Sequence, residues 1–176
     1  MQFKSLFVFA SLPVLLFAQT TPAEIESEIS NGLVPALAAE LAALDAFPVD
    51  GGTSDEATAI HTATTNLNTA VLTVTSDIQT ANCPLSDSDA SAILNLLEAQ
   101  GANIQQASMD ITAREPGLEA VGAVPTIRQD LAILQTSSDA MGAALLGCVS
   151  SNIAPDVQTF QSEIDAAFAP AIAAFN

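Results

Sequence analysis

His61 is the only histidine in the chain, and no aspartate stands at helical spacing beside it. There is no G-x-S-x-G elbow either, so a relay of nucleophile, histidine and carboxylate has no support. A lone histidine in such a setting reads as an exposed or cap-bonded side chain. Asp87-x-Asp89 is like the opening of a calcium loop, but the glycine and the distal bidentate glutamate are missing, and helix capping explains the pair better. No histidine and cysteine cluster has zinc spacing, no glycine-rich loop could cradle a phosphate, and neither Trp nor Tyr is present to stack on a sugar. We therefore expect a protein that is not an enzyme, with no catalytic residue, no metal and no cofactor.

The remaining reactive pair is Cys83 and Cys148. Its reading depends on compartment. Lys4 gives a short positive start, Leu6 to Phe17 is mostly apolar, and Leu16-Phe17-Ala18 offers a small residue at a cut after Ala18. We read residues 1–18 as a secretory signal peptide and 19–176 as a single domain, because the apolar run is shorter than the roughly 20 residues a bilayer requires. No second run of spanning length follows and no lipid-anchor tail is seen, so the expected product is secreted, extracellular or loosely wall-associated, with no transmembrane anchor. On that route a Cys83–Cys148 disulfide is the default, the alternative being two separate buried thiols. It would stabilise the fold by about 4 kcal/mol on the loop-entropy picture, an upper figure.

Charge narrows the partners. The chain carries 20 acidic residues against 3 basic ones, for a net charge of −17, and beyond the leader only Arg114 and Arg128 are basic. Such a surface repels phosphate backbones, so nucleic acid is not an expected partner. With 49% hydrophobic residues the chain has enough apolar content for a core and does not pair high charge with low hydrophobicity, as disordered chains do. The balance suits a soluble protein working in acid surroundings.

Helices must position whatever site exists. Ser86 to Ile111 carries apolar or small residues at Ala90, Ile93, Leu94, Leu97, Gly101, Ile104, Ala107 and Ile111, one stripe at steps of three and four. Ser86 with Asp89 caps its start, and we expect one continuous helix. Before it, Thr21-Pro22-Ala23-Glu24 opens a helix whose stripe runs from Ile25 to Phe47, with Gly32 and Pro35 expected to bend or briefly interrupt it. Ser54 to Thr80 is rich in threonine and valine. The stripe of Ile60, Thr64, Leu67, Val71, Val74 and Ile78 nevertheless has helical period, and period outranks propensity in so long a window. A fourth stripe runs from Leu118 to Leu145, with Pro125 either kinking it or marking its true start, and a fifth from about Ile153 to Phe175. No stretch alternates as a strand would. The expected fold is all-α, an up-down bundle of five long helices with antiparallel neighbours, in which helices two and four bring Cys83 and Cys148 to one end.

Small residues recur along these stripes at Ala90, Gly101, Ala107, Ser108, Ser138, Ala140, Gly142 and Ala144. They either let helices pack closely or leave a slot lined by larger apolar side chains. A slot of that kind suits an acyl chain.

The run LSDSDASAILNLLEAQGANIQQASMDI, the linker with Arg114, then LEAVGAVPTIRQDLAILQTSSDAMGAAL and the closing SEIDAAFAPAIAAF resemble the fungal hydrophobic-surface-binding protein A family, which includes antigenic cell-wall galactomannoproteins. The resemblance implies a secreted or wall-associated helical bundle without a catalytic set. It also implies either a fatty acid held in an apolar tunnel, or adsorption to hydrophobic surfaces with recruitment of lipolytic or cutin-degrading hydrolases. The leading expectation is a carrier of a fatty acid or similar lipid. Its wall candidates are Leu67, Val71, Leu97, Ile104, Leu134, Met141, Phe160, Ile164 and Phe168, each of which could equally be ordinary core. Arg114 and Arg128 could each pair with a lipid carboxylate or stand as surface arginines screened by acidic neighbours. The alternative expectation is an adhesion protein that coats apolar solids.

Overall fold

The computed structural model describes residues 19–176. The leader expected at 1–18 lies outside these residues. The chain begins in α1 (Pro22–Glu28), passes through a π-helical turn (Ile29–Leu33) and continues as α2 (Val34–Ala46). Thr21 and Glu24 form a reciprocal capping box at its start, with the Thr21 amide 2.7 Å from Glu24 Oε2. Pro35 has no amide to return to the preceding turn, and the widened π register absorbs that loss. The rod is thus adjusted at Gly32 and Pro35 but not broken.

A second capping box, Thr53 with Glu56, opens α3 (Ser54–Thr80). Its outward threonines return their hydroxyls to the carbonyl four residues back, as Thr58, Thr62, Thr65, Thr69 and Thr73 all do. Back-bonding of this kind lets a threonine-rich segment stay helical once one face is packed.

The next stripe is not one helix. α4 (Asp87–Glu98) stops, the chain turns at Ala99-Gln100, and α5 (Gly101–Ala113) follows. This corrects the continuous rod expected from Ser86 to Ile111. Gly101 is a weak helix former, and the corner lets α4 pack on α1 and the π turn while α5 packs on α2 and α8 (Ala154–Ala174). Periodicity persists across so short a corner, which is why the stripe hides it.

A short α6 (Glu115–Ala120) precedes α7 (Val124–Cys148), so Pro125 marks the true start of the fourth long helix. Gly117 is required where α6 meets the turn after α2. A Cβ there would lie 3.0 Å from the Phe47 ring and 3.2 Å from the Gly51 backbone. Gly122, at φ 73°, makes the turn into α7.

The long helices close into a ring. α2 packs on α3, α3 on α7, α7 on α8, α8 on α5, and α5 back on α2. Two apolar clusters fill its ends. The larger runs from Ile25 to Leu37 and joins the later half of α3, α4, the later half of α7 and most of α8. The smaller joins Leu44, Phe47, Ile60, Ile111, Leu118, Ile127, Leu131 and Phe175. This placement makes α3 and α7 parallel neighbours, and α5 runs parallel to both α2 and α8. The antiparallel contacts are those of the directly connected pairs, α2 with α3 and α7 with α8.

Cys83 and Cys148 are bonded, with Cα atoms 4.8 Å apart and 65 positions between them in sequence. They tie the C-terminal ends of α3 and α7 together. The Leu85 amide donates to the Cys148 carbonyl at 2.8 Å beside them. Among the described residues there is no strand, only an isolated bridge between Thr20 and Ala81. No helix among them is long and apolar enough to cross a membrane.

Candidate functional site

All five helices of the ring contribute to the wall of one internal cavity. The nine apolar residues singled out in the sequence lie on that wall: Leu67 and Val71 on α3, Leu97 at the end of α4, Ile104 on α5, Leu134 and Met141 on α7, and Phe160, Ile164 and Phe168 on α8. Leu33 and Leu37 complete it from the first rod. Each belongs to an inward stripe, so closure of the ring turns them all to the centre.

About 80 Å³ of the cavity is open to the centres of water-sized spheres, where one water needs only about 10–15 Å³ of such room. The lining on α7 runs from Ile127 to Met141, which at the rise of a helix is about 20 Å. So small a room against so long a lining is a narrow slot rather than a broad chamber.

Arg114 and Arg128 are not on the wall. Arg114 is 7% exposed, so it is not the screened surface arginine of one reading. Its Nε donates to the Phe47 carbonyl at 2.9 Å and its Nη1 to the Asp110 carbonyl at 2.9 Å. Asp110 Oδ1 lies 3.3 Å from the same nitrogen. Arg128 donates from Nε to the Phe175 carbonyl at the end of α8. Both guanidinium groups hold chain ends together.

The wall also carries polar residues: Thr64 on α3, Ser108 on α5 and Ser138 on α7, which their spacing places on the stripes, and Glu40 on α2, Gln100 before α5 and Asp130 on α7, which sequence reasoning passed over. Thr64 Oγ1 lies 2.8 and 2.9 Å from the two carboxyl oxygens of Glu40. Burial pushes the Glu40 carboxyl up to about 7, against the opposing hydrogen bond from Thr64, with a further upward push from Asp130. Asp130 is itself raised by burial, an effect that its hydrogen bond and charge interaction with His61 oppose.

His61 therefore has a carboxylate partner after all. Its Nδ1 is 2.8 Å from Asp130 Oδ2, across 69 positions of sequence. The partner comes from α7, not from its own helix, so no local spacing could have announced it. His61 also borders an open hollow between the start of α3 and the approach to α7. Among the described residues no group of histidine, cysteine, aspartate and glutamate could hold a metal ion.

The sequence profile of the hydrophobic surface binding protein A family matches residues 24–147. The chain belongs to that family. No curated protein gives a significant match. Among solved structures, the fold superposes on Afmp4p in complex with palmitic acid at a TM-score of 0.81, with 25% identity over 89% of this chain and 100% of that one. Ligand-binding domain 1 of the Penicillium marneffei MP1 protein, complexed with arachidonic acids, gives a TM-score of 0.79 at 15% identity over 89% of this chain and 99% of that one. Domain 2 of the same protein, complexed with multiple arachidonic acids, gives 0.77 at 16% identity over 87% and 95%. Family membership and the all-α fold thus agree with the expectations from sequence.

Proposed function

We propose that this family member is a secreted, non-catalytic carrier that sequesters a fatty acid or similar long-chain lipid along the axis of its helical ring. The single observation that carries the reading is the mainly apolar cavity wall contributed by all five ring helices. The likeness to Afmp4p, a bundle of the same fold in complex with palmitic acid, supports it. Burying a chain of about a dozen methylenes at ~0.8 kcal/mol each gives a gross gain near 10 kcal/mol, before ordering costs. That is enough for micromolar binding or better.

The test is a titration of natively purified protein with a fluorescent fatty acid, joined to mass spectrometry of its organic extract. Saturable binding near one or two chains per protein is expected. Filling the channel with Leu134→Trp should abolish binding while the helical content is retained. Neither saturable binding nor a co-purifying lipid would remove the carrier reading.

The family's description favours a second reading, adsorption to a hydrophobic solid. The large exposed apolar side chains, Val49, Leu72, Met109 and Ile133, sit on different elements, so a broad contact would have to draw on the inward faces as well. Adsorption to a wax or polyester that persists in high salt supports this reading, because salt does not screen an apolar contact. Adsorption seen only at low salt contradicts it.

A further inference from the structure

The two apolar clusters are separated by a polar layer. α2 leaves the larger cluster at Leu37 and enters the smaller at Leu44, α3 passes from Ile60 to Leu67, and α7 from Leu131 to Leu134. The residues at or beside these crossings, with the one that precedes Ile111 on α5, are Glu40, Thr64, Asp130 and Ser108. All four are buried and all four are on the cavity wall. α8 crosses between Phe168 and Ala171 and adds no polar group on the wall.

Hydrogen-bond capacity decides what this layer offers. Thr64 Oγ1 lies within reach of both Glu40 oxygens and of the Ile60 carbonyl at 3.0 Å, yet it has one proton. Its neighbours on α3 donate theirs to the carbonyl four residues back. The one Thr64 proton is shared among three acceptors, so the Glu40 oxygens keep acceptor capacity to spare. Burial raises the proton affinity of that carboxyl, against the hydrogen bond it accepts from Thr64. Asp130 gives Oδ2 to His61. Ser108 Oγ, on a residue only 6% exposed, finds no hydrogen-bond partner among the described residues. A buried hydroxyl without a partner is costly unless a ligand supplies one.

No cation answers these groups from within the channel. The titratable and charged groups nearest the layer are Glu40 from α2, His61 from α3, Asp130 from α7 and, further along α5, the Asp110–Arg114 pair. Arg114 and Arg128 are held on backbone carbonyls. His61 is paired to Asp130.

We propose that this layer seats the ligand's head group and selects an uncharged head bearing a hydroxyl, as in a long-chain alcohol, an acylglycerol or a protonated fatty acid, over the fatty carboxylate anion. The head's O–H donates to a carboxyl oxygen of Glu40 or Asp130, and its oxygen accepts from Ser108. The tail then runs into the larger cluster past Leu134, Met141 and Phe160. A carboxylate anion could accept from Ser108 but has no proton to give the Glu40 or Asp130 oxygens, and it adds a negative charge beside Asp130 in a poorly solvated layer. The inference rests on the carrier reading and specifies its ligand.

The test measures binding of hexadecanol and of palmitic acid to the delipidated full chain at pH 5 and pH 8, by displacement of an uncharged fluorescent lipid. Hexadecanol affinity should change less than about threefold between the two, while palmitic acid should weaken at least about tenfold at pH 8. Ser108→Ala should weaken hexadecanol at both pH values. Glu40→Gln should reduce the pH dependence of palmitic acid, and Asp130→Asn, made separately, should do likewise. Palmitic acid binding as tightly as hexadecanol at pH 8, or a pH dependence untouched by both carboxyl variants, overturns the head-group assignment and leaves the carrier reading standing. Failure of both lipids to bind at either pH removes the carrier reading itself, and this assignment with it.

Discussion

Glu40→Gln keeps the size of the side chain and its neighbours but removes its titration. In the folded protein the Glu40 carboxyl holds its proton up to about 7, from an ordinary value of 4.5. Between those two pH values the folded state binds a proton that the unfolded chain has released, so stability falls as pH rises. The contribution is fully present below about pH 4.5 and gone above about pH 7. At 1.36 kcal/mol per pH unit, the window amounts to about 3 kcal/mol. The glutamine variant has none of it. Its stability relative to the parent should therefore rise by about 3 kcal/mol between pH 4 and pH 8, whatever constant offset the new amide introduces. Asp130 also titrates upward but is present in both proteins, so most of its effect cancels in the difference. Urea unfolding should be followed by far-ultraviolet circular dichroism, because the chain has neither Trp nor Tyr. With a slope of about 1–3 kcal/mol per molar urea, the midpoint difference should shift by about 1–3 M. A difference equal at the two pH values would refute the raised proton affinity of a buried Glu40.

Arg114→Ala removes the donors that join the end of α5 to the Phe47 and Asp110 carbonyls. It should lower unfolding stability by about 2–3 kcal/mol while lipid affinity stays within about twofold, because the guanidinium is not on the cavity wall. Replacing Cys83 and Cys148 together by serine should cost up to about 4 kcal/mol in the same denaturation assay. Its first structural consequence should be faster amide exchange where the ends of α3 and α7 are joined.

Much of this molecule can be read along the chain, because the signals are local. Thr21 with Glu24 opens α1 and Ser86 with Asp89 opens α4, and the six-residue stripe of α3 from Ile60 to Ile78 is buried throughout. Nine apolar residues of the channel wall carry the same inward periodicity, so their direction is legible too. Whether an inward residue meets a neighbour or a channel is not, since that depends on how far apart the helices stand. The corner at Ala99-Gln100 is equally silent, as a two-residue turn leaves the stripe almost in phase.

The polar layer lies at the far limit of that legibility. Glu40 stands between Leu37 and Leu44 on α2, and His61 has only threonine and alanine at helical spacing, so neither shows a partner in its own segment. What the amino-acid order determines by itself is what one segment can settle alone: where capped helices start, which face of each is apolar, and that two arginines cannot balance twenty carboxylates. The order of helices around the ring, the bond from His61 to Asp130 and the proton held on Glu40 were decided only by tertiary structure. Each depends on which groups from distant segments exclude water from one another, and a side chain's burial and proton affinity belong to that whole neighbourhood.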